Sequence, residues 1–421
     1  MASRRHSVQP PLDMDVDRRF MRLALRQAVL AQGRTSPNPL VGAVIVKDGQ
    51  LIAAGYHKKA GTPHAEINAI AKAKGKTKGA TLYVTLEPCS HHGRTPPCTE
   101  AVWQSGIKRV VVGMSDPNPL VAGQGLRFLQ GKGLEVSVGI LADECRKINR
   151  PFCRWITTGL PWVIMKAGMS LDGRIAARIG CSGWITNELS RHHVHKLRDR
   201  VDAILVGIGT ALADNPSLTT RLPGRGFSSI PAGVGRGHRD PLRVVLDRDL
   251  RLPVTARMLT QESTARTMIF CGPGADADRK MTLEAASAVV CPVALGVDGQ
   301  LDLPTVLAEL GRQQITSLLV EGGSLVHSAF WSQGLVQQVN LFFAPIFLGA
   351  GGVPLMADLG LDRVDQATRL RDVRHHRFGD DLMIEGLVAT DEDSSAQPAF
   401  CDSPKQMKTD TGRDLRHREF K

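Results

Sequence analysis

The sequence predicts an α/β fold divided into two successive domains. At 421 residues the chain exceeds what one ordinary hydrophobic core sustains. Short apolar runs that read as strands alternate with helical stretches along most of its length. A Gly-Leu-Pro break at 159–161 interrupts the alternation, and a new apolar strand opens inside TGLPWVIMKAGMSLDGRIA. The expected domains are therefore residues 15–158 and 159–390, with the boundary between 155 and 160. Residues 391–421 lack apolar periodicity and are expected to form a disordered tail. A hydrophobic content of 42% with 22% charged residues excludes disorder of the whole chain.

In the first half, Val16, Phe20, Leu23, Ala24 and Ala28 recur at helical spacing, and Gly33 stands where a helix C-terminal glycine belongs. VGAVIV (41–46) and LIAAGY (51–56) then flank KDGQ, whose Asp-Gly predicts a hairpin. HAEINAIAKAK reads as a second helix, ATLYVTLE as a strand, PCTEAVWQSG as a third helix and RVVVGM (109–114) as another strand. In the second half AILVGIG (203–209), LRVVLD (242–247), TMIFC (267–271), SLLVEGG (317–323) and VNLFFAPIFLG are the expected strands, with helices between them. The segment 223–241, rich in Gly, Pro and Ser, is expected to be a surface loop.

The formal charge of +12 would suit nucleic acid, an anionic membrane or a phosphorylated small molecule. An aromatic content of 5%, with two tyrosines, weakens any reading based on base-stacking platforms. The N-terminal stretch MASRRHSVQPPLDM has no apolar core of a signal peptide, and the longest apolar stretch, 341–357, is broken by proline and glycine. Eight cysteines scattered over such a chain point to a reducing cytoplasm rather than to a disulfide framework.

The densest chemistry is PCSHHGRTPPC, 88–98, preceded by HAE at 64–66. A catalytic zinc takes about three protein ligands and keeps one position for water. His64, Cys89 and Cys98 supply three, with the histidine and Cys98 each at the start of an expected helix. Glu66 is too close in sequence to His64 to be an easy fourth ligand. It is well placed to move protons beside a bound water, as general acid and base. His91 and His92 are poorer candidates because the ligand count is already met, and with Arg94 they could face substrate or solvent. Asn38, in the PNP turn, is a candidate for reading a pyrimidine edge, and equally an Asx-turn residue before proline. The order H-x-E then P-C is that of zinc deaminases, except that eight residues separate the cysteines instead of two.

That stretched loop, together with SPNPLVGAVIVKDG (36–49) and DPNPLVAGQG (116–125), resembles the bifunctional deaminase and reductase family of riboflavin biosynthesis. KAGMSLDGRIA (166–176), SGWIT (182–186), GTALADNPSLTTR (209–221) and VEGGS (320–324) carry the resemblance through the second half, so that it spans roughly 15–388. It implies a cytidine-deaminase-like three-layer domain followed by a dihydrofolate-reductase-like domain that uses NADPH. VEGGS by itself only places backbone N–H groups where an anion could sit, and no G-x-G-x-x-G marks an ordinary dinucleotide fold.

The resemblance places NADPH near Gly168, Trp184, Thr210, Asp214, Gly323 and Ser324, and the phosphorylated substrate near Ser182, Arg198, Leu218, Arg221 and Glu321. Arginines at 198 and 221 suit a phosphate, which a planar guanidinium grips as a fork. Arg248 stands where the family leads one to expect a small polar residue near the cofactor. Asp172 and Asp214 could equally be turn caps. The implied chemistry is hydrolytic deamination of 2,5-diamino-6-ribosylamino-4(3H)-pyrimidinone 5′-phosphate, then NADPH-dependent reduction of the ribosyl chain to ribityl. The implied partners are phosphorylated pyrimidines, with no nucleic acid, no membrane and a homo-oligomeric assembly. The rival is a zinc-dependent nucleic-acid base deaminase with an accessory binding domain, which the same zinc, glutamate and charge would serve. A purely structural zinc would leave Glu66 without a purpose.

Overall fold

The computed structural model describes residues 12–90, 97–118, 121–180, 183–222 and 238–389. His91, His92, Arg94, Ser182, most of the expected 223–241 loop and the tail after 390 lie outside the described residues.

The first half forms α1 (Leu12–Ala28), β1 (Gly42–Lys47), β2 (Gln50–Tyr56), α2 (Ala65–Ala73), β3 (Thr81–Leu86), α3 (Cys98–Gln104), β4 (Arg109–Met114), α4 (Gln124–Gly131), β5 (Glu135–Val138), α5 (Ala142–Ile148) and α6 (Arg150–Thr158). Its five strands make one sheet in the order β2-β1-β3-β4-β5. The expected β1–β2 hairpin is antiparallel, β1 pairs antiparallel with β3, and β3, β4 and β5 run parallel. Two glycines make the layering possible. A Cβ on Gly42 would meet Ala24 O of α1 at 2.0 Å, and one on Gly55 would meet Ala65 O of α2 at 2.5 Å. Gly55 pairs with Ala43, so Gly42 points to the opposite face and the two helices cover opposite sides of the sheet. α1 ends five residues before Gly33, because a short 3-10 turn at Val29–Ala31 intervenes before the glycine at φ 76°.

The second half contains β6 (Trp162–Ser170), β7 (Arg174–Ala176), α7 (Glu188–Arg198), β8 (Ala203–Gly207), α8 (Ile208–Asp214), β9 (Leu242–Leu246), α9 (Arg257–Thr260), β10 (Thr267–Cys271), α10 (Ala277–Ala285), β11 (Ala288–Pro292), α11 (Leu303–Arg312), β12 (Ser317–Val320), α12 (Ser324–Ser332), β13 (Gln338–Ala344), β14 (Val353–Pro354), β15 (Leu370–Phe378) and β16 (Asp381–Val388). A nine-stranded sheet runs β11-β10-β9-β8-β12-β6-β13-β16-β15. It is parallel from β11 to β13, and β16 and β15 close it antiparallel. Along β8, Ala203 and Leu205 enter one core cluster while Ile204 and Val206 enter the other. Both faces are therefore buried, which is why these strands read as unbroken apolar runs. AILVGIG departs from expectation at its end: the strand stops at Gly207, and Ile208 opens α8.

The two halves meet at Gly33–Ser36. Arg34 forks onto Asp199 with N–O distances of 2.8 and 2.9 Å and also donates to Asp199 O. Asp202, 3% exposed at its side chain, accepts from Ser36 Oγ at 2.7 Å, from Thr316 N and Oγ1 at 3.0 and 2.7 Å, and from Arg239 Nη1 at 3.1 Å. Trp155 Nε1 on α6 donates to Gly311 O at 2.9 Å. A buried acceptor serving this many donors is costly to remove, because each donor is left dry and unpaired. Asp202→Ala is expected to cost about 3 kcal/mol, read as a lowered thermal midpoint, whereas Arg150→Ala, which breaks an exposed pair with Asp372, should change it little.

Candidate functional sites

His64 is the N-cap of α2, Cys89 follows β3, and Cys98 is the first residue of α3 behind its N-cap Pro97. The β3 strand and two helix starts thus bring residues 34 apart in sequence to one point. His64 Nδ1 lies 3.2 Å from Cys98 Sγ and 3.6 Å from Cys89 Sγ, and Cys98 N donates to Cys89 Sγ at 3.4 Å. All three potential ligand atoms fall within 4.8 Å of one another. One imidazole and two thiolates converging this closely are a donor set that fits zinc. A hydrogen bond from Cys98 holds the Cys89 thiol down at about 4, and the same bond pushes Cys98 up.

Glu66 lies one step inside the first turn of α2, 3% exposed, and its Oε2 has no hydrogen-bond partner. Burial, with the Cys89 charge beside it, raises its carboxyl to about 7. A buried carboxyl left half unsatisfied next to a metal-ligand cluster is equipped to hold and release a proton. His57 stands edge-on to His64 with ring centroids 5.2 Å apart. Its Nδ1 lies 3.3 Å from Pro63 O, a pure acceptor, so the proton sits on Nδ1 and Nε2 accepts from Asn38 Nδ2 at 3.1 Å. Burial pulls His57 down, which keeps it neutral. Asn38 is thereby linked to the cluster through a histidine that sequence reasoning did not single out.

Glu87 was also missed. It is 3% exposed and accepts from the backbone N–H groups of Asp116, Gly123, Gly125 and Leu126 at 3.1, 3.1, 2.9 and 3.4 Å. The DPNPLVAGQG segment is pinned beside the cysteine loop by this one carboxylate. An acidic residue closing an apolar strand directly before Pro-Cys was the available signal.

In the second half a cleft of about 1250 Å³ opens at the carboxyl ends of β6, β8, β9 and β12. Gly168, Thr210, Asp214, Gly323, Ser324 and Glu321 line it, as does Arg248. Trp184 is not among its lining residues: the indole is 77% exposed and lies under the Arg191 guanidinium at 4.8 Å. Arg198 reaches the cleft wall through Glu321, with Nε and Nη2 on the two carboxylate oxygens at 2.9 and 2.8 Å. Lys166 Nζ, the first residue of the KAGMSLDGRIA landmark and not earlier proposed, adds a third contact to Glu321 at 3.5 Å. Burial alone would raise the Glu321 carboxyl, but Arg198 and Lys166 outweigh it and hold the group at about 2. Leu218 is buried at φ 51°, and the Arg221 backbone N–H donates to His195 Nδ1 at 3.1 Å.

A zinc-dependent deaminase of the cytidine-deaminase type, continued into a reductase, is the class that this fold and these two sites define. The cytidine and deoxycytidylate deaminase zinc-binding region matches residues 14–114, and the RibD C-terminal domain matches residues 161–384. The riboflavin biosynthesis protein RibD of Aquifex aeolicus is 38% identical over 88% of this chain and 98% of its own length. That of Escherichia coli is 40% identical over 85% of this chain and 96% of its own. Among solved structures, Acinetobacter baumannii RibD superposes with a TM-score of 0.79 at 36% identity, covering 90% of this chain and 100% of that one. The diaminohydroxyphosphoribosylaminopyrimidine deaminase/5-amino-6-(5-phosphoribosylamino)uracil reductase of Thermotoga maritima gives 0.74 at 36% identity with the same coverages. The chain belongs to the RibD family of bifunctional riboflavin biosynthesis enzymes, with a zinc-binding deaminase domain and an NADPH-dependent reductase domain. No helix among the described residues is long and apolar enough to cross a membrane.

The ion cluster at Glu321 yields a signed prediction. A carboxyl with an ordinary value of 4.5 that sits at about 2 when folded contributes stability above its ordinary value, and loses it as pH falls toward 2. The stability difference between the parent and Glu321→Gln in urea melts should be flat above about pH 5 and shrink steadily on acidification. A difference independent of pH would mean that the buried carboxylate is not held ionised.

Proposed function

We propose that His64, Cys89 and Cys98 hold one zinc ion and that Glu66 carries the proton in hydrolytic deamination of a phosphorylated diaminopyrimidine. The observation that carries this reading is the convergence of the three ligand atoms with an unpartnered, buried Glu66 oxygen beside them. Zinc held there supplies a Lewis acid that brings water close to ionisation at neutral pH. Glu66 then takes a proton from that water as oxygen adds to the amine-bearing ring carbon, and returns it to the nitrogen that leaves as ammonia. The neutral His57 holds the Asn38 amide through Nε2, and that amide would read the pyrimidine edge. The substrate is 2,5-diamino-6-ribosylamino-4(3H)-pyrimidinone 5′-phosphate, a reading supported by the family and by the name of the Thermotoga relative.

The deaminated product would then be reduced in the second cleft, with residues 15–158 and 159–390 as the two working domains. Two separate sheets support that division. NADPH bound along Gly168, Thr210, Asp214, Gly323 and Ser324 supplies the hydride that opens the ribose to a ribityl chain. Glu321, held ionised by Arg198 and Lys166, and Arg221 would position the phosphorylated sugar, with Leu218 and Ser182 beside it. Trp184 belongs to this proposal only through an adjustment of its exposed side chain toward the cleft. The protein would act in the cytoplasm as a homo-oligomer, on small molecules and not on nucleic acid.

The test is a coupled assay with the diaminopyrimidine phosphate, following ammonia and NADPH together, with zinc content measured on each variant. Glu66→Gln should keep its zinc and lose about 10²–10⁴ in deamination rate, while still consuming NADPH when the deaminated intermediate is supplied. Cys89→Ser and His64→Ala should lose the metal. Zinc present with neither ammonia release nor NADPH consumption would reject the reading, and activity on an RNA base would replace it.

A further inference from the structure

The two segments assigned to substrate, the Asn38 turn and residues 218–221, are tied to each other across the seam between the halves. On the reductase side the tethers act on backbone atoms. His195 Nδ1 on α7 accepts from Arg221 N at 3.1 Å, and Arg198, while forked onto Glu321, donates through Nη1 to Thr219 O at 3.2 Å. From the other side Thr220 Oγ1 donates to Arg239 O at 2.9 Å, and Thr220 N donates to Asp240 Oδ1 at 2.7 Å. Leu218 holds φ at 51°, a left-handed conformation that a bulky L side chain keeps only where its surroundings impose it.

Arg239 is itself held from the first half. Its N–H donates to Asp199 Oδ1 at 3.0 Å, and its Nη1 donates to Gly33 O and to Asp202 Oδ1, both at 3.1 Å. The same Asp199 carboxylate takes the Arg34 fork, so the first half fixes the acceptor on which the Arg239 backbone rests. Arg34 is 22% and Asp199 18% exposed, and a bidentate pair so shielded keeps its geometry better than an ordinary surface pair. Gly33 is pressed onto this point so closely that a Cβ would lie 2.8 Å from Arg200 Cα. The turn that carries Arg34 also carries Asn38, whose N–H donates to Thr35 O at 2.8 Å. A path of hydrogen bonds therefore leads from Arg34 through Asp199 and Arg239 to Thr220, the neighbour of Arg221.

We propose that Arg34, a residue of the deaminase half, is a positioning residue for the reductase site, setting the sugar-phosphate segment 218–221 through Asp199 and Arg239. The proposal rests on the reading of that segment as the part of the second site that meets the phosphorylated sugar. Its effect falls on substrate binding and leaves the hydride step alone.

The experiment is steady-state reduction by the full zinc-loaded chain, with the deaminated intermediate and its dephosphorylated form as alternative substrates. The proteins are the parent, Arg221→Ala, Arg34→Met, Thr220→Val and the double variant of the last two. Methionine keeps the apolar stem of Arg34 without the fork, and valine keeps the shape of Thr220 without the hydroxyl. Arg34→Met should raise KM for the phosphorylated intermediate roughly two- to thirtyfold, with kcat and the KM for NADPH unchanged and little effect on the dephosphorylated one. Thr220→Val, on the reductase side of the path, should do the same. The double variant should be no worse than the more damaging single change, because both break one path. Arg34→Lys, which keeps the charge but not the fork, should give a smaller rise in the same KM, and it serves in place of a methionine variant that fails to fold. An unchanged KM in the Arg34 variants, full additivity with Thr220→Val, or an equal loss on both substrates would overturn the proposal and leave Arg34 as a seam residue only. If Arg221→Ala keeps the parent's preference for the phosphorylated intermediate, the reading of 218–221 falls, and the proposal with it.

Discussion

A carboxylate withdrawn from water must be given donors or it protonates, and much of this chain is arranged around that requirement. Glu87 is given four backbone N–H groups and in return fixes a loop beside the cysteines. Asp202 is given hydroxyl, amide and guanidinium donors from segments far apart in sequence, and so joins the deaminase half to the reductase half. Glu321 is given a guanidinium and an ammonium and stays ionised in the wall of the reductase cleft. Glu66 differs from these three in having one buried oxygen unpartnered, as does Asp247 at the end of β9. What sets Glu66 apart is its place beside the His64, Cys89 and Cys98 cluster, where an unpartnered oxygen suits a group that takes up and releases a proton.

Both sites use the same property of parallel strands, whose carboxyl ends all open on one edge of the sheet. In the first half the end of β3 leads through Glu87 to Cys89, and the starts of α2 and α3 complete the cluster. In the second half the ends of β6, β8, β9 and β12 open together into a cleft long enough for an extended ligand. Its walls carry the cations Lys166, Arg178, Arg248 and Arg251 and the acids Asp214, Asp249, Asp298, Glu321 and Asp358, so the cleft is mixed in charge and does not account for the +12 of the chain.

Much of the fold was legible because its cues are local. The Asp-Gly hairpin, the amphipathic first helix and the unbroken apolar runs of the buried strands each carry their period within a few residues. The closing pair β15–β16 was not legible. β15, LRDVRHHRF, is an exposed edge strand with side chains mostly in solvent, so it has no apolar alternation to read. Its charges are the kind that protect a sheet edge from further pairing. Gly33 was read as the stop of the first helix, whereas the chain uses it at the seam: a Cβ there would meet Asp199 O at 2.5 Å.

The sequence by itself determined the chemistry available: one histidine, two cysteines and a glutamate in an order that suits a zinc deaminase, and glycine-rich strand ends that suit an anion. It could do so because ligand type and spacing are written in the chain. Tertiary structure alone decided which groups meet. It put His57 between Asn38 and His64, brought Lys166 and Arg198 onto Glu321 from three different elements, and set the Arg191 guanidinium over Trp184. Those pairings depend on strand order and register, and residues more than a hundred positions apart become neighbours only once the sheet has set both.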